Sequence, residues 1–133
     1  MEKYFNGVSL VVGVLGGTVA GWLGGYDVLL NTLLVLVVAD YVTGVIKGIV
    51  KKELSSRAGF NGLIRKVLIF TVVAVSVALE GLLTDAIPLR EIVIMFYISN
   101  EGISFLENIS AFIEFPQQLK DVFVQIRDKD KEE

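Results

Sequence analysis

The sequence predicts an all-α integral membrane protein, a bundle of about four transmembrane helices that assembles into a homo-oligomer. Two observations predict this class. First, 53% of the 133 residues are hydrophobic. Second, no charged residue lies between Lys3 and Asp27, and roughly 20 apolar residues are enough to cross a bilayer as a helix. Three further apolar windows follow, with few charges in each: Val28–Val50, Val67–Ile87 and Ile92–Ile113. Three spans result if the first or the fourth helix lies in the membrane interface.

The first window carries glycine at every fourth position, at Gly13, Gly17, Gly21 and Gly25. A glycine in a helix interior lowers the stability of the helix by about 1 kcal/mol relative to alanine. Glycines repeated at a fixed spacing therefore indicate a role other than helix formation. At this spacing the glycines lie on one side of the helix, where another backbone can approach closely, and membrane helices pack through such small-residue faces. The partner is either a helix of the same chain or a second protomer, and the length of the row favours the protomer.

The second window contains an acid in its apolar run. Asp40, Gly44 and Gly48 lie along one stripe of the predicted helix. An acid near the centre of a membrane span is unfavourable by about 2.5–3.5 kcal/mol. Lys47 is two turns away, too far for a direct pair within the helix. We therefore expect Asp40 to meet a partner on another helix or water, and the two glycines to make packing or oligomer contacts.

The fourth window is strongly amphipathic. A helix of this kind either lies in the interface plane or spans the membrane with its polar side on water. Interfacial helices usually carry Lys and Arg on the polar face, whereas this face carries acids, which favours a water-lined surface. With Asp40 of the second window, the predicted pore-lining residues are Asn100, Glu101, Ser104, Glu107 and Asn108.

Basic residues predict the orientation. The positive-inside rule places loops rich in Lys and Arg in the cytoplasm. By that rule both termini and the central loop are cytoplasmic, and the chain lies in the cytoplasmic membrane of a bacterium or of a host cell. We expect a membrane domain at residues 1–116 and a charged cytoplasmic tail at residues 117–133. The predicted basic loop contains Lys51, Lys52, Arg57, Arg65 and Lys66.

Several classes of function are disfavoured by composition. The chain has no cysteine and no histidine, so it lacks thiolate ligands, the usual general base and the commonest metal ligand. We expect no catalytic residues, no metal and no cofactor. The net charge of −3 argues against a nucleic-acid partner, and the expected partners are the lipid bilayer and other copies of the chain.

Three segments in order resemble one family. The segment DYVTG lies in the second window, LSSRAGFNGLIRK in the basic loop, and FYISNEGISFLENIS in the fourth window before Pro116. Together they resemble the phage-lysis and toxin-secretion holins, over roughly Leu30 to Pro116. The resemblance does not extend clearly to the first window, and a second proline expected near Pro116 is missing.

The resemblance implies a membrane protein that accumulates and then oligomerises abruptly into a lesion. Through this lesion an endolysin reaches the cell wall, or a toxin without a signal peptide leaves the cell. Neither the endolysin nor the toxin needs to contact the holin directly. We hypothesise that buried acids make the protomer metastable, because their solvation improves once many copies enclose water. Two alternatives stay open. A small four-span exporter or ion channel is disfavoured because the first helix has no acid, whereas an antiholin that regulates a holin can share the same fold.

Overall fold

The computed structural model describes residues 2–83 and 87–132. All regular structure in these ranges is α-helical, which confirms the predicted all-α class; the homo-oligomer stays a prediction. Residues 84–86, which close the third predicted window, lie outside the described ranges. The five helices are α1 (Glu2–Trp22), α2 (Val28–Val50), α3 (Ser56–Leu82), α4 (Leu89–Ile109) and α5 (Gln117–Glu132).

Three of the described helices, α1, α2 and α3, are long and apolar enough to cross a membrane. α4 has 21 residues but is more polar, because its second half carries Asn100, Glu101, Glu107 and Asn108. By length and composition the count therefore matches the three-span form of the prediction. Among α1 to α4, α4 is the helix that falls short of the composition of a membrane span.

α4 is also the central helix, because it packs against α2, α3 and α5. Leu33 of α2, Val73 of α3 and Ile94 of α4 are completely buried where these helices meet. In lipid, apolar burial between helices gives little net drive, since lipid tails are as apolar as the side chains. The arrangement of the helices must therefore depend on close packing and on polar contacts.

α1 stands apart from this bundle. None of its residues is buried, and α3 is the only described helix that it contacts. The turn after it uses Gly24 and Gly25, whose φ angles are +87° and +96°, a left-handed conformation that glycine adopts without steric penalty. α1 is thus an apolar helix whose surface is almost entirely free within the protomer.

Arg90, at the start of α4, fixes the turn between α1 and α2. Its Nε donates to the Leu23 carbonyl at 2.6 Å, and its Nη1 lies 2.8 Å from a carboxylate oxygen of Asp27. The side chain passes so close to Gly24 that a Cβ there would lie 2.3 Å from its Nε. Asp27 also caps α2 by accepting from the Leu30 backbone N–H at 2.9 Å. These contacts place the starts of α2 and α4 side by side.

The C-terminal segment differs from the expected charged tail. Residues 117–132 form α5, which packs against α4 with Phe123 buried. Phe123 fits there because Gly102 has no side chain, and a Cβ at that position would lie 2.4 Å from the ring. The apolar residues among the charges of this segment thus form a helix–helix contact, and the division into a membrane domain and a cytoplasmic tail stays a prediction.

Asp27 provides a test of the turn. The hydrogen bond from Arg90 is the main reason that the pKa of Asp27 falls from its usual 3.8 to about 2. Asp27→Ala should lower the free energy of unfolding by about 1–2 kcal/mol, since both the cap and the partner of Arg90 are lost. Asp27→Asn should cost less, about 0.5–1 kcal/mol, because the amide oxygen still caps the helix. Thermal unfolding in detergent, followed by circular dichroism, measures both.

The pH dependence of the difference in stability between the parent chain and Asp27→Asn is a second readout. Because the pKa is depressed in the folded state, the contribution of the carboxylate is present above about pH 4 and is lost as the pH falls towards 2. The gap in stability between the parent chain and Asp27→Asn should therefore be constant at neutral pH and shrink in acid. A gap that widened in acid would contradict this assignment.

Candidate functional site

Three charged side chains from three helices meet inside the bundle. The Lys66 ammonium on α3 contacts a carboxylate oxygen of Asp40 on α2 and lies 2.5 Å from a carboxylate oxygen of Glu101 on α4. Asp40 and Glu101 are only 6% and 7% exposed. We call Asp40, Lys66 and Glu101 the charged triad. It places two carboxylates around one ammonium, so its formal charge is −1 when all three groups are ionised.

Asn108 of α4 completes the surroundings of Asp40. Its Nδ2 donates to Oδ1 of Asp40 at 2.9 Å and lies 3.1 Å from Oγ1 of Thr43. The other carboxylate oxygen of Asp40 faces Lys66, so both oxygens have a partner. The sequence predicted that Asp40 needs a partner outside its own helix, and the structure identifies Lys66 and Asn108.

The placement of Lys66 corrects the predicted basic loop. Lys51 and Lys52 do lie between α2 and α3. Arg57, Arg65 and Lys66, however, lie within α3. The helix begins early because Ser55 caps it, accepting from the Ala58 backbone N–H at 3.1 Å. The charges of residues 56–66 hid this first part of α3 from a search for apolar windows.

The predicted polar face of α4 is divided between two environments. Glu101 is buried in the charged triad, and Ser104 and Asn108 line a cleft beside it. Asn100 and Glu107 are exposed on the surface of the protomer. The six polar residues chosen from the sequence therefore do not form one surface in the protomer, and pore lining stays a prediction.

The cleft beside the triad has a volume of about 430 Å³ and lies among α2, α3 and α4. It is open to the surroundings and connects the triad with the end of the bundle that carries the loop at residues 51–55, which we call the basic end. Tyr41 crosses it and donates from its hydroxyl to the Gly59 carbonyl at 3.2 Å. A polar cleft of this size can admit several water molecules to the triad. Its glycines, which leave this space open, are Gly44, Gly48, Gly59 and Gly62.

The glycines predicted to make contacts fall into two groups. A Cβ at Gly44 would lie 3.5 Å from Asn108, and one at Gly48 would lie 3.2 Å from Leu54, so both pack within the chain. At the row in α1 and the turn after it, an added Cβ would meet no atom of the described protomer within 4 Å. That row, which leaves space open beside each glycine in the described chain, is Gly13, Gly17, Gly21 and Gly25, although the Gly25 carbonyl accepts from Nη2 of Arg90 at 3.1 Å.

Comparison with known proteins shows similarity to holins. The model of the bacteriophage holin family matches residues 17–128. A "Probable holin" of Bacillus phage phi105 is 39% identical over 93 residues, which cover 69% of each chain. An "Uncharacterized 14.9 kDa protein in nagH 3′ region" of Clostridium perfringens is 42% identical over 97% of this chain and 99% of its own length. No solved structure matches the chain significantly.

Removal of the lysine tests the charged triad. Lys66→Met should lower the free energy of unfolding by about 3–5 kcal/mol, because it leaves two buried carboxylates without their counter-charge. The triple variant Lys66→Met/Asp40→Asn/Glu101→Gln should recover most of this loss, since it removes the charges together. Arg65→Met is the matched control, because Arg65 is the neighbouring basic residue of α3 and is exposed.

Thermal unfolding in one detergent measures all three variants. Equal losses for Lys66→Met and Arg65→Met would show that the triad does not stabilise the bundle. A triple variant as unstable as Lys66→Met would show that the loss comes from something other than unpaired charge.

Proposed function

Because the chain belongs to the bacteriophage holin family, we propose that it accumulates in a cytoplasmic membrane and opens a multi-copy lesion there. The lesion releases a cargo that has no signal peptide, either a cell-wall hydrolase or a toxin. The observation that carries this proposal is the charged triad, a set of buried ionic groups at the centre of a bundle of apolar helices.

The charge imbalance of the triad favours two states of the protomer, one separate in lipid and one assembled around water. In the folded protomer one ammonium neutralises one carboxylate, and Asn108 supports Asp40, so the bundle tolerates insertion into lipid. The cleft reaches Asp40 and Lys66 but not Glu101, so the second carboxylate leaves an excess negative charge in a medium of low dielectric, where a charge is poorly solvated. Water next to the triad relieves that excess. A state in which copies enclose water therefore gains stability relative to the separate protomer.

The free face of α1 supports assembly from many copies. A Cβ added at Gly13, Gly17 or Gly21 would meet no other described part of the chain within 4 Å, although each of these glycines lowers helix propensity. Close approach of a second backbone offsets that loss, because small-residue faces pack tightly in lipid. We assign this face to contacts between protomers. The basic end of the bundle then faces the cytoplasm, in agreement with the positive-inside rule.

Expression in a bacterium tests the proposed function. With a cytoplasmic endolysin that lacks a signal peptide, we expect sudden lysis that requires both proteins. Without the endolysin we expect abrupt loss of membrane potential and no early lysis. A potential-sensitive dye and culture turbidity record the two events. Steady growth with an intact potential would contradict the proposal and favour an antiholin, whereas altered tolerance to drugs without lysis would favour an exporter.

Two substitutions test the contact between protomers. Gly13→Leu/Gly17→Leu adds bulk to the glycine face without touching the described protomer, so helix content and monomer stability should be kept. We expect the cross-linked oligomers in membranes to decrease at least about fivefold, because small-residue contacts are lost. Val11→Leu/Val19→Leu adds bulk to the opposite side of α1 and is the control. Equal yields of oligomer for the two pairs would show that the glycine face is not a contact.

A further inference from the structure

The last helix folds back along the bundle. After the turn at residues 110–116, α5 runs antiparallel to α4. Lys120 and Ser110 line one small cavity near the start of this contact. Further along, Phe123 is buried against Gly102. α5 therefore extends from the basic end of the bundle towards the other end.

The depth of α4 is fixed by its contacts with α2. At one end Arg90 pairs with Asp27, and further along Asn108 binds Asp40. α4 therefore lies beside the apolar length of α2, and α5 lies beside α4. At about 1.5 Å per residue, the part of α5 beyond Phe123 extends roughly 14 Å further along the bundle. A docked α5 thus reaches the depth that α2 occupies in the membrane.

The outer side of α5 does not suit lipid. Charged side chains are strongly unfavourable in hydrocarbon, and the apolar contacts of Phe123 and of the partly buried Ile126 beside it do not offset several of them. Glu107, an exposed acid of α4, borders α5, since it lines the same cavity as Lys120. The docked α5 and the exposed strip of α4 therefore form one charged side of the protomer, and this side requires water. The exposed charges within residues 117–129, the part of α5 whose side chains the structure describes, are Lys120, Asp121, Asp128 and Lys129.

We propose that α5 is a clamp that docks on α4 only when water faces that side of the bundle. This inference rests on the proposed function. In an intact membrane no water faces the side of α4 on which α5 docks, so α5 is released from the bundle at the basic end. Once copies enclose a lumen, α5 docks and lines it. Because docking occurs only in that state, it shifts the equilibrium towards the open lesion.

The docking contact is made by the Phe123 ring, which packs into the notch left by the missing side chain of Gly102. Phe123 is the buried residue of α5, and its ring occupies the space that a side chain at residue 102 would fill. A Cβ at Gly102 would lie 2.4 Å from two ring atoms and 2.7 Å from a third. Docking is therefore sensitive to both positions, and the two can be varied independently.

The experiment measures the amount of protein in the membrane at the moment when the potential collapses. The full chain is expressed without an endolysin, and immunoblots of membrane fractions give the amount at onset. Phe123→Ala should raise that amount roughly threefold or more, because the open state loses a contact that the closed state never had. Val122→Ala is the matched control, since the neighbouring Val122 is 49% exposed, and its onset should not change.

Two glycine variants separate docking from general damage. Gly102→Ala should raise the onset amount as Phe123→Ala does, whereas Gly81→Ala, which would meet no neighbouring atom within 4 Å, should leave it unchanged. Combining Gly102→Ala with Phe123→Leu should recover part of the loss, because the shorter side chain frees room for the added methyl group.

Each result decides between distinct conclusions. An unchanged onset in both Phe123→Ala and Gly102→Ala would overturn the clamp while leaving the holin proposal intact. An earlier onset would also overturn it, because α5 would then hold the lesion closed. A parent chain that never collapses the potential would remove the proposed function, and the clamp with it.

Discussion

The bundle depends on one lysine that lies between two carboxylates. In lipid, apolar side chains give little preference for one helix arrangement over another, so polar contacts must select it. Lys66 joins α3 to Asp40 of α2 and to Glu101 of α4. Buried ionic groups of this kind add little net stability compared with apolar packing, but losing one member is strongly destabilising. The triad therefore determines the register of the three helices.

The apolar pattern of the sequence predicted the helices well where it was uninterrupted. The second window coincides with α2, Val28–Val50, because the residues between its capping residues are mostly apolar and only Asp40 and Lys47 are charged. The third window began at Val67, whereas α3 begins at Ser56, because the first turns of α3 are charged. Hydropathy reports where a helix can contact lipid and not where its hydrogen bonds begin.

The site was predicted in part. The sequence indicated that Asp40 needs a partner, since an isolated acid in a span is unfavourable, but it placed Lys66 in a loop. The ion pairs join residues that are far apart along the chain, and a single sequence gives no direct information on such distances. Phe123 was missed for a related reason: a charged segment predicts solvent, and the notch at Gly102 is recognisable only once two helices are side by side.

The central claim is that the excess charge of the triad drives hydration and opening. The most direct measurement compares the onset of membrane depolarisation in Glu101→Gln and in Glu91→Gln, at equal amounts of protein. The substitution is the same and both residues lie on α4, but Glu101 is buried in the triad and Glu91 is exposed at the start of the helix. The account predicts a delayed onset for Glu101→Gln, because the triad then carries less charge to be hydrated, and an unchanged onset for Glu91→Gln. Equal onsets in the two variants, or a shift in Glu91→Gln alone, would contradict it.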